Sequence, residues 1–465
     1  MRRRIVLTLL LLLATFFVAP SAAAQEVRPA GPVYIVKDGD TLWDIAVKFG
    51  VSVDELKTYN QISNPDLVGV GSELVIPGLE GIEGVVDAQS VPYGETLRSL
   101  SRRFGVSADA LIRLNRLVSP AQLYAGMSLI LPQGNVAASL GQRLALRPGQ
   151  SLLELAVVQG TSPWTLVSAN GLDGTASALP GDVLHLPDSA ATAGPGGLPG
   201  AIGAVSLEPL PLVQGKTTLI RLTAREELLV EGTFLDHPLH FFRDGESYVS
   251  LQGVHAMMEP GFYPLTLSGV LADGAPFAFA QKVFVKEGEY AYDATLVVDP
   301  ATLDPANTEP ENELWNTLPV EATAEKMWEG QWVYPASALF ANCYPSYFGS
   351  RRSYNNGPYR YFHTGLDICG GVGAEVFAPA AGTVVYTGTL TVRGNAIMLN
   401  HGWGIYSGYE HLSEILVKTG DRVEVGQLIG RVGNTGRTTG AHLHWEIWAG
   451  SVQVDPLDWL ARAFP

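Results

Sequence analysis

Residues 37–46 read KDGDTLWDIA, and the tetrad Gly39-Asp40-Thr41-Leu42 within them returns twice. It reappears as Gly94-Glu95-Thr96-Leu97 and as Gly149-Gln150-Ser151-Leu152, each copy 55 residues after the last. Asn60, Asn115 and Asn170 hold the same register, as do Gly71, Gly126 and Gly181, and Pro77, Pro132 and Pro187. A period kept without gaps means three copies of one folding unit. In the first copy Val33 to Val36 is a β-branched and aromatic run, a strand pattern. Leu42, Ile45, Ala46 and Phe49 fall at i, i+3, i+4 and i+7, one face of a helix that Gly50 ends. Ser52-Val53-Asp54-Glu55 is a capping box that opens a second helix. Leu74 to Ile76 is a return strand stopped by Pro77. The unit reads strand–helix–helix–strand.

This unit resembles the LysM module, a family of small glycan-binding domains, over residues 33–77, 89–132 and 143–187. The resemblance implies three small α+β (βααβ) modules that bind polymers containing N-acetylglucosamine, peptidoglycan among them. The third copy has Gln159 where the others have Phe49 and Phe104, so it is expected to contribute least. The alternative is that the copies are spacers, since a unit this small buries little core.

The chain has 465 residues, which at roughly 150 per domain means several domains. A hydrophobic content of 46% excludes a disordered chain. A formal net charge of −16 excludes non-specific nucleic-acid binding and electrostatic docking on anionic lipid, both of which need clustered Lys and Arg. Arg2, Arg3 and Arg4 precede an apolar run from Ile5 to Val18, and Ala22-Ala23-Ala24 follows it. This reads as a bacterial secretory signal over residues 1–24. The alternative is an uncleaved anchor, but the run is shorter than the ~20 residues of a spanning helix. The expectation is an exported protein on the wall or periplasmic side, with no membrane span once the signal is removed. Its two cysteines, Cys343 and Cys369, are expected to pair in that compartment, the alternative being two buried thiols.

Residues 188–200, DSAATAGPGGLPG, read as a flexible linker. From 201 to 290 the strand-like runs Thr217–Leu222, Leu228–Phe234, Tyr263–Leu267 and Phe277–Val285 are punctuated by Asp-Gly and Pro-Gly turns. They predict an all-β, immunoglobulin-like sandwich in the broad sense. His237, His240 and His255 fall there without a carboxylate or Cys at ligand spacing, and read as surface or turn residues. Residues 299–331, with Leu314, Trp315, Leu318 and Met327-Trp328, read as a connector whose one or two short helices dock on neighbouring domains.

The chemistry lies in the C-terminal part. His363-Thr364-Gly365-Leu366-Asp367 places His and Asp four apart, and His442-Leu443-His444 places two His at i and i+2. On a strand those two face one side, while Leu443 and Trp445 face the other. Between them lies Tyr409-Glu410-His411-Leu412. Imidazole and carboxylate suit zinc, and a catalytic zinc wants three protein ligands and one open position. The surplus histidines suit acid–base work, because imidazole titrates near neutrality. His401, before Gly402, reads as structural.

Residues 335–460 resemble the lysostaphin-type, or LytM-type, zinc metallopeptidases. The resemblance rests on Phe348, Gly349, Arg351 and Arg352, the H-x-G-x-D box, Gly394-Asn395, His411-Leu412-Ser413, Gly433-Asn434-Thr435-Gly436 and Gly440-Ala441-His442-Leu443-His444. It implies an all-β antiparallel domain with a groove and one zinc ion on His363, Asp367 and His444. It also implies His411 and His442 as the catalytic histidines. The whole chain then reads as a peptidoglycan hydrolase, cleaving stem peptides or peptide cross-links and tethered to glycan. The rival readings are a non-catalytic wall-binding activator and a wall scaffold.

Overall fold

The computed structural model describes residues 31–64, 68–79, 82, 84–133, 141–187, 189–190 and 192–465. The secretory signal expected over residues 1–24 lies outside the described residues. The chain divides after Val85 into two compact units.

In the first unit the strand Val33–Ile35, the helices Leu42–Phe49 and Val53–Tyr59, and the return strand Glu73–Val75 follow one another. The strands pair antiparallel, with Tyr34 opposite Leu74. Each helix opens on a capping box, Thr41 with Asp44 and Ser52 with Glu55, which satisfies N–H groups that a helix start leaves unpaired. Gly50 ends the first helix at φ +65°, where a Cβ would be strained. Ile45, Ala46, Phe49 and Leu56 fill the small core.

In the second unit, whose first strand begins at the dividing residue, the same order recurs twice. Val85–Ser90, Leu97–Phe104, Ala108–Leu114 and Ser128–Gln133 form one copy, and Gln142–Ala145, Leu152–Val158, Pro163–Asn170 and Val183–Leu186 form the next. The repeated asparagine is a clamp in all three copies. Asn170 Nδ2 donates to the Leu166 and His185 carbonyls at 2.9 and 3.0 Å, and its Oδ1 accepts from the His185 N–H at 2.8 Å. Asn60 does the same with Leu56 and Val75, and Asn115 with Leu111 and Ile130. Its side chain is spent on joining the second helix to the return strand, so the register of asparagines is a signature of fold rather than of glycan contact.

Residues 201–290 form two antiparallel sheets over a shared core. One has the order Phe242–Asp244, Ser247–Gly253, Thr217–Ala224, Ile202–Glu208; the other runs His237–Leu239, Leu229–Phe234, Gly261–Val270, Pro276–Lys286. Val205, Leu207, Ile220 and Leu222 of the first meet Leu265, Leu267, Phe277 and Val283 of the second. The strands Ile202–Glu208 and Ser247–Gly253 escape the sequence reading, the latter because its polar Ser250 and Gln252 are buried. Ser250 stands opposite Ile220, on the side that faces the core between the two sheets, and Gln252 Nε2 donates to the Gly450 carbonyl of the C-terminal domain at 3.1 Å. The other side of the sheet covers that domain, whose core takes in Leu219, Val249 and Leu251.

The second repeat is fused to this module. Tyr124–Ala125 adds a parallel edge to Pro276–Lys286, and the Tyr93 hydroxyl donates to the Leu265 carbonyl at 2.9 Å. Residues 192–200, read from sequence as a flexible linker, are packed in place. Leu198 is fully buried, Gly197 N–H donates to Gly94 O at 2.8 Å, and the Arg143 guanidinium binds the Pro195 carbonyl. Gly and Pro here serve close backbone approach, since a Cβ on Gly196 would strike Ser99.

The connector holds the helix Pro305–Thr317, in which Glu311 and Trp315 are buried. The C-terminal domain is one antiparallel sheet system. Its main path runs Leu366–Cys369, His442–Ala449, Ile405–Ile415, Gly394–Gly402, Gly382–Leu390, Arg422–Val423. Cys343 and Cys369 are joined by a disulfide, so the strand that carries Asp367 is stapled to the segment before it.

Asn170→Ala is expected to remove the clamp and weaken the local structure by about 1–3 kcal/mol. Hydrogen exchange at the His185 amide should quicken by roughly ten- to hundredfold, and unchanged exchange would mean that packing alone holds the return strand.

Candidate functional site

Antiparallel pairing of Leu366–Cys369 with His442–Ala449 puts Asp367 opposite His444. Alternation along the second strand sends Leu443, Trp445 and Ile447 into the core and leaves His442, His444 and Glu446 on the other face. His363 lies just before the first strand. Gly365 between them permits the close passage, because a Cβ there would lie 2.8 Å from His444 Nε2.

Three donor atoms converge. His363 Nε2, Asp367 Oδ1 and His444 Nδ1 are each 2.9 Å from the other two. His363 Nδ1 faces the Tyr347 carbonyl at 3.0 Å. A carbonyl only accepts, so that nitrogen carries the hydrogen. Burial, opposed by the Asp367 charge, lowers the His363 pKa to about 4, so the ring is neutral and its Nε2 lone pair points at the other two donors. Burial acts against a charged His444, but Glu410 and hydrogen bonds to Asp367 and Glu446 outweigh it and lift its pKa to about 10. The cluster thus demands a positive charge among its donors, and a proton on His444 meets that demand. A two-nitrogen, one-oxygen set also fits a divalent metal of the zinc type.

Further side chains fix these three. Arg352 Nη2 lies 3.3 Å from Asp367 Oδ2, and its Nε lies 3.5 Å from an Asp293 oxygen. Glu446 is fully buried, stands 3.4 Å from His444 Nε2, and accepts from Trp315, Trp448 and Gln453 at 2.9 Å each. Burial pushes its pKa up, but the His444 hydrogen bond and charge and the Arg393 charge hold it at about 2. Trp315 comes from the connector helix, which therefore supports the site rather than merely spacing domains. Sequence reasoning missed Glu446, although its place two residues after His444 on one strand face was the available signal.

His411 and His442 face each other across the same cleft, with ring centres 5.0 Å apart. His411 Nδ1 donates to the Thr435 carbonyl at 2.8 Å, and His442 Nδ1 to the Gly440 carbonyl at 2.8 Å. Both Nε2 atoms are left for the cleft, that of His442 being 3.4 Å from Asp367 Oδ1. Burial and the nearby His444 and His442 charges lower the His411 pKa to about 3. His411 sits at φ +63°, a left-handed conformation that breaks the alternation of its strand. Glu410 and His411 consequently both line the cleft. Glu410 is 3.3 Å from Arg393 Nε, and Arg393 is held by Glu311 of the connector helix at 2.9 Å.

The cleft has a volume of about 770 Å³. Four of the five residues singled out from sequence line it, Asp367, His411, His442 and His444, and the fifth, His363, is buried behind them in the triad. His255, read as a turn residue, reaches its wall, with its ring 5.2 Å from Phe362. His401 is fully buried elsewhere, its Nδ1 donating to Ala381 O and its Nε2 accepting from Ser407, both at 2.7 Å.

Residues 361–456 match the family described as Peptidase family M23, and residues 34–77, 90–132 and 146–187 match the LysM domain. The chain carries three LysM domains and a C-terminal domain of the M23 (LytM-type) peptidase family. Over 85 residues, 18% of the chain, it is 45% identical to peptidoglycan DD-endopeptidase ShyA of Vibrio cholerae, covering 20% of that protein. Over 134 residues, 29% of the chain, it is 37% identical to the lipoprotein NlpD/LppB homolog of Pseudomonas aeruginosa, covering 41% of it. The match thus spans between a fifth and two fifths of these relatives. The catalytic domain of the antimicrobial peptidase lysostaphin from Staphylococcus simulans is 34% identical, with a TM-score of 0.24, over 27% of this chain and 98% of that one. No helix among the described residues is long and apolar enough to cross a membrane.

Burial lowers the His401 pKa to about 4, against the opposing Ala381 hydrogen bond. The unfolded chain would take up a proton near pH 6.5 and the folded chain would not. Stability from this group is therefore full above about pH 6.5 and is lost as pH falls towards 4, by up to about 3 kcal/mol. Melting temperatures of the wild type and His401→Gln across that window should converge as pH falls; parallel curves would clear His401 of the effect.

Proposed function

We propose that the protein is an exported, zinc-dependent endopeptidase that cleaves peptide bonds of peptidoglycan while LysM modules hold it on the glycan. The observation that carries this reading is the convergence of His363, Asp367 and His444 at 2.9 Å beside two further histidines in an open cleft. His363, Asp367 and His444 would hold one zinc ion, which supplies Lewis acidity and lowers the pKa of water. His411 and His442 keep their Nδ1–H on backbone carbonyls and offer Nε2 to the substrate. One takes the proton of the attacking water; the other, protonated, hydrogen-bonds the developing oxyanion and then passes its proton to the leaving amine. Arg352 and Glu446 orient the triad. In this reading residues 335–460 are the catalytic domain, 299–331 a connector that braces it, and 201–290 an immunoglobulin-like sandwich in the broad sense.

Glycan contact is assigned to the first and third repeats. Asp38, Gly39 and Asp40 are exposed or half-exposed in the first, and Pro148, Gly149 and Gln150 likewise in the third; their counterparts Tyr93, Gly94 and Glu95 are buried. The outer face of the first helix carries exposed Trp43 and Val47 in one copy and Leu153 and Val157 in the third. In the second copy these positions are Arg98 and Arg102, which bind the Asn170 and Ala169 carbonyls of its neighbour. The second copy therefore serves as a structural joint, and the third, despite Gln159, as a binder. Trp164, at the start of the third copy's second helix, is exposed as Trp43 is, and Trp43→Ala and Trp164→Ala should each reduce co-sedimentation with insoluble peptidoglycan roughly two- to tenfold. Retention unchanged in both would return weight to a spacer role.

Similarity to the NlpD/LppB homolog favours a second reading, an activator or scaffold that cleaves nothing. The two part on turnover. His444→Ala should lose both metal and activity, whereas His411→Ala and His442→Ala should keep the metal and slow cleavage by about 10²–10⁴. Metal analysis beside mass spectrometry of digested sacculi checks this, and a metal-loaded wild type that releases no new peptide ends would favour the activator.

A further inference from the structure

Four arginines line the cleft: Arg352, Arg360, Arg393 and Arg437. Arg352 lies 3.3 Å from Asp367 and 3.5 Å from Asp293. Arg393 lies 2.9 Å from Glu311 and 3.3 Å from Glu410. These pairings use every carboxylate on the cleft wall, namely Asp293, Asp367 and Glu410. Arg360 and Arg437 remain, and no carboxylate among the described residues lies within ion-pair distance of either. The chain has 46 acidic residues against 30 basic ones, so the shortage is local rather than general.

Arg437 is the more telling of the two. It is half-buried, and its guanidinium is 4.6 Å from the Tyr354 ring centre. One nitrogen donates to the Thr302 carbonyl at 3.1 Å. These contacts hold the fork in place without neutralising it. Its own loop also positions both cleft histidines. Thr435, two residues before it, accepts from His411, and Thr438, next after it, has its hydroxyl 3.3 Å from His442 Nδ1. Arg437 and both histidines line the same cleft. A partly buried cation without a counter-ion is costly unless a ligand brings one, and a planar guanidinium matches a carboxylate through two parallel hydrogen bonds.

We propose that Arg437, assisted by the exposed Arg360, binds a free carboxylate of the substrate peptide next to the scissile bond. The preferred substrate is then an acidic stem peptide rather than its carboxamide counterpart. This deepens the endopeptidase reading and rests on it for the identity of the bound chain. The contact exists before and during reaction, so it acts on binding and on KM more than on kcat.

The test uses the full chain, zinc-loaded, and two fluorescent cross-linked stem peptides that differ only in carboxylate against carboxamide beside the cross-link. Binding is measured by anisotropy in a His411→Ala background, and turnover by mass spectrometry in the wild type. The acid should bind roughly ten- to hundredfold more tightly than the amide, the range of a charge-assisted hydrogen-bond pair. Arg437→Gln should bring the two within about threefold, and Arg437→Lys should fall between. If Arg437→Gln does not fold, as judged by its melting temperature and metal content, Arg360→Gln should show a smaller loss in the same direction. Equal binding of acid and amide, no binding of the acid, or a preference unchanged by substitution of either arginine overturns the proposal. A wild type that keeps the preference but cleaves neither peptide removes the endopeptidase reading and leaves the carboxylate site standing. A wild type that cleaves both with equal kcat/KM does the reverse.

Discussion

The register between Leu366–Cys369 and His442–Ala449 is the constraint on which the site depends. It sets Asp367 against His444, and a slip of one residue would send the imidazoles into the core and Leu443 and Trp445 into the cleft. The register is secured on the apolar side, where Leu366, Ile368, Leu443 and Trp445 are all fully buried. The Cys343–Cys369 disulfide adds a covalent stop at the end of the shorter strand. Convergence of three donors at 2.9 Å is thus bought by hydrophobic burial on the opposite face of the same strands.

The support extends well beyond the peptidase domain. One sheet of the middle module is buried on both sides: Ile220 and Leu222 face its own core, while Leu219, Val249 and Leu251 join the C-terminal core. Lys216 reaches Asp455 and Asp458 at 2.8 and 3.0 Å, and Phe242 stacks on Trp403 with ring centres 5.4 Å apart. On the other flank, Glu311 of the connector accepts from the Val392 and Arg393 N–H groups at 2.9 and 3.0 Å. Such connections leave residues 201–465 little freedom to move as separate beads. The cleft is shaped by three chain segments, with His255 and Asp293 contributed from outside the peptidase match.

The repeats illustrate how one sequence pattern serves two ends. All three copies keep the Gly and Leu of the tetrad, the Thr or Ser capping box on the first helix and the asparagine clamp, because these build the fold. What differs is the outer surface, where Trp43 and Leu153 give way to Arg98 in the middle copy. A face of arginines that caps a neighbouring helix cannot also lie open to a glycan chain. Module count and binding-site count need not agree.

Much was legible in the sequence because it depends on local chemistry. The strand–helix–helix–strand units follow from capping boxes, helical spacing and glycine stops within about 45 residues. The set His363, Asp367, His411, His442 and His444 follows from motif order, and the shared face of His442 and His444 from strand periodicity. The strand Ser247–Gly253, the packed run 192–200 and the side chains that brace the triad were not legible. Ser250, Gln252 and the glycines of that run look solvent-exposed or flexible in isolation and are buried only because a distant segment covers them. Glu446, Trp315 and Arg393 meet from positions up to 131 residues apart, and no local pattern encodes such a meeting. Sequence by itself singled out the His and Asp side chains that gather at the cleft and the shared strand face of His442 and His444. Tertiary structure alone decided which charges neutralise one another and which stay available, because pairing depends on distance and burial, and both are set when separate segments pack together.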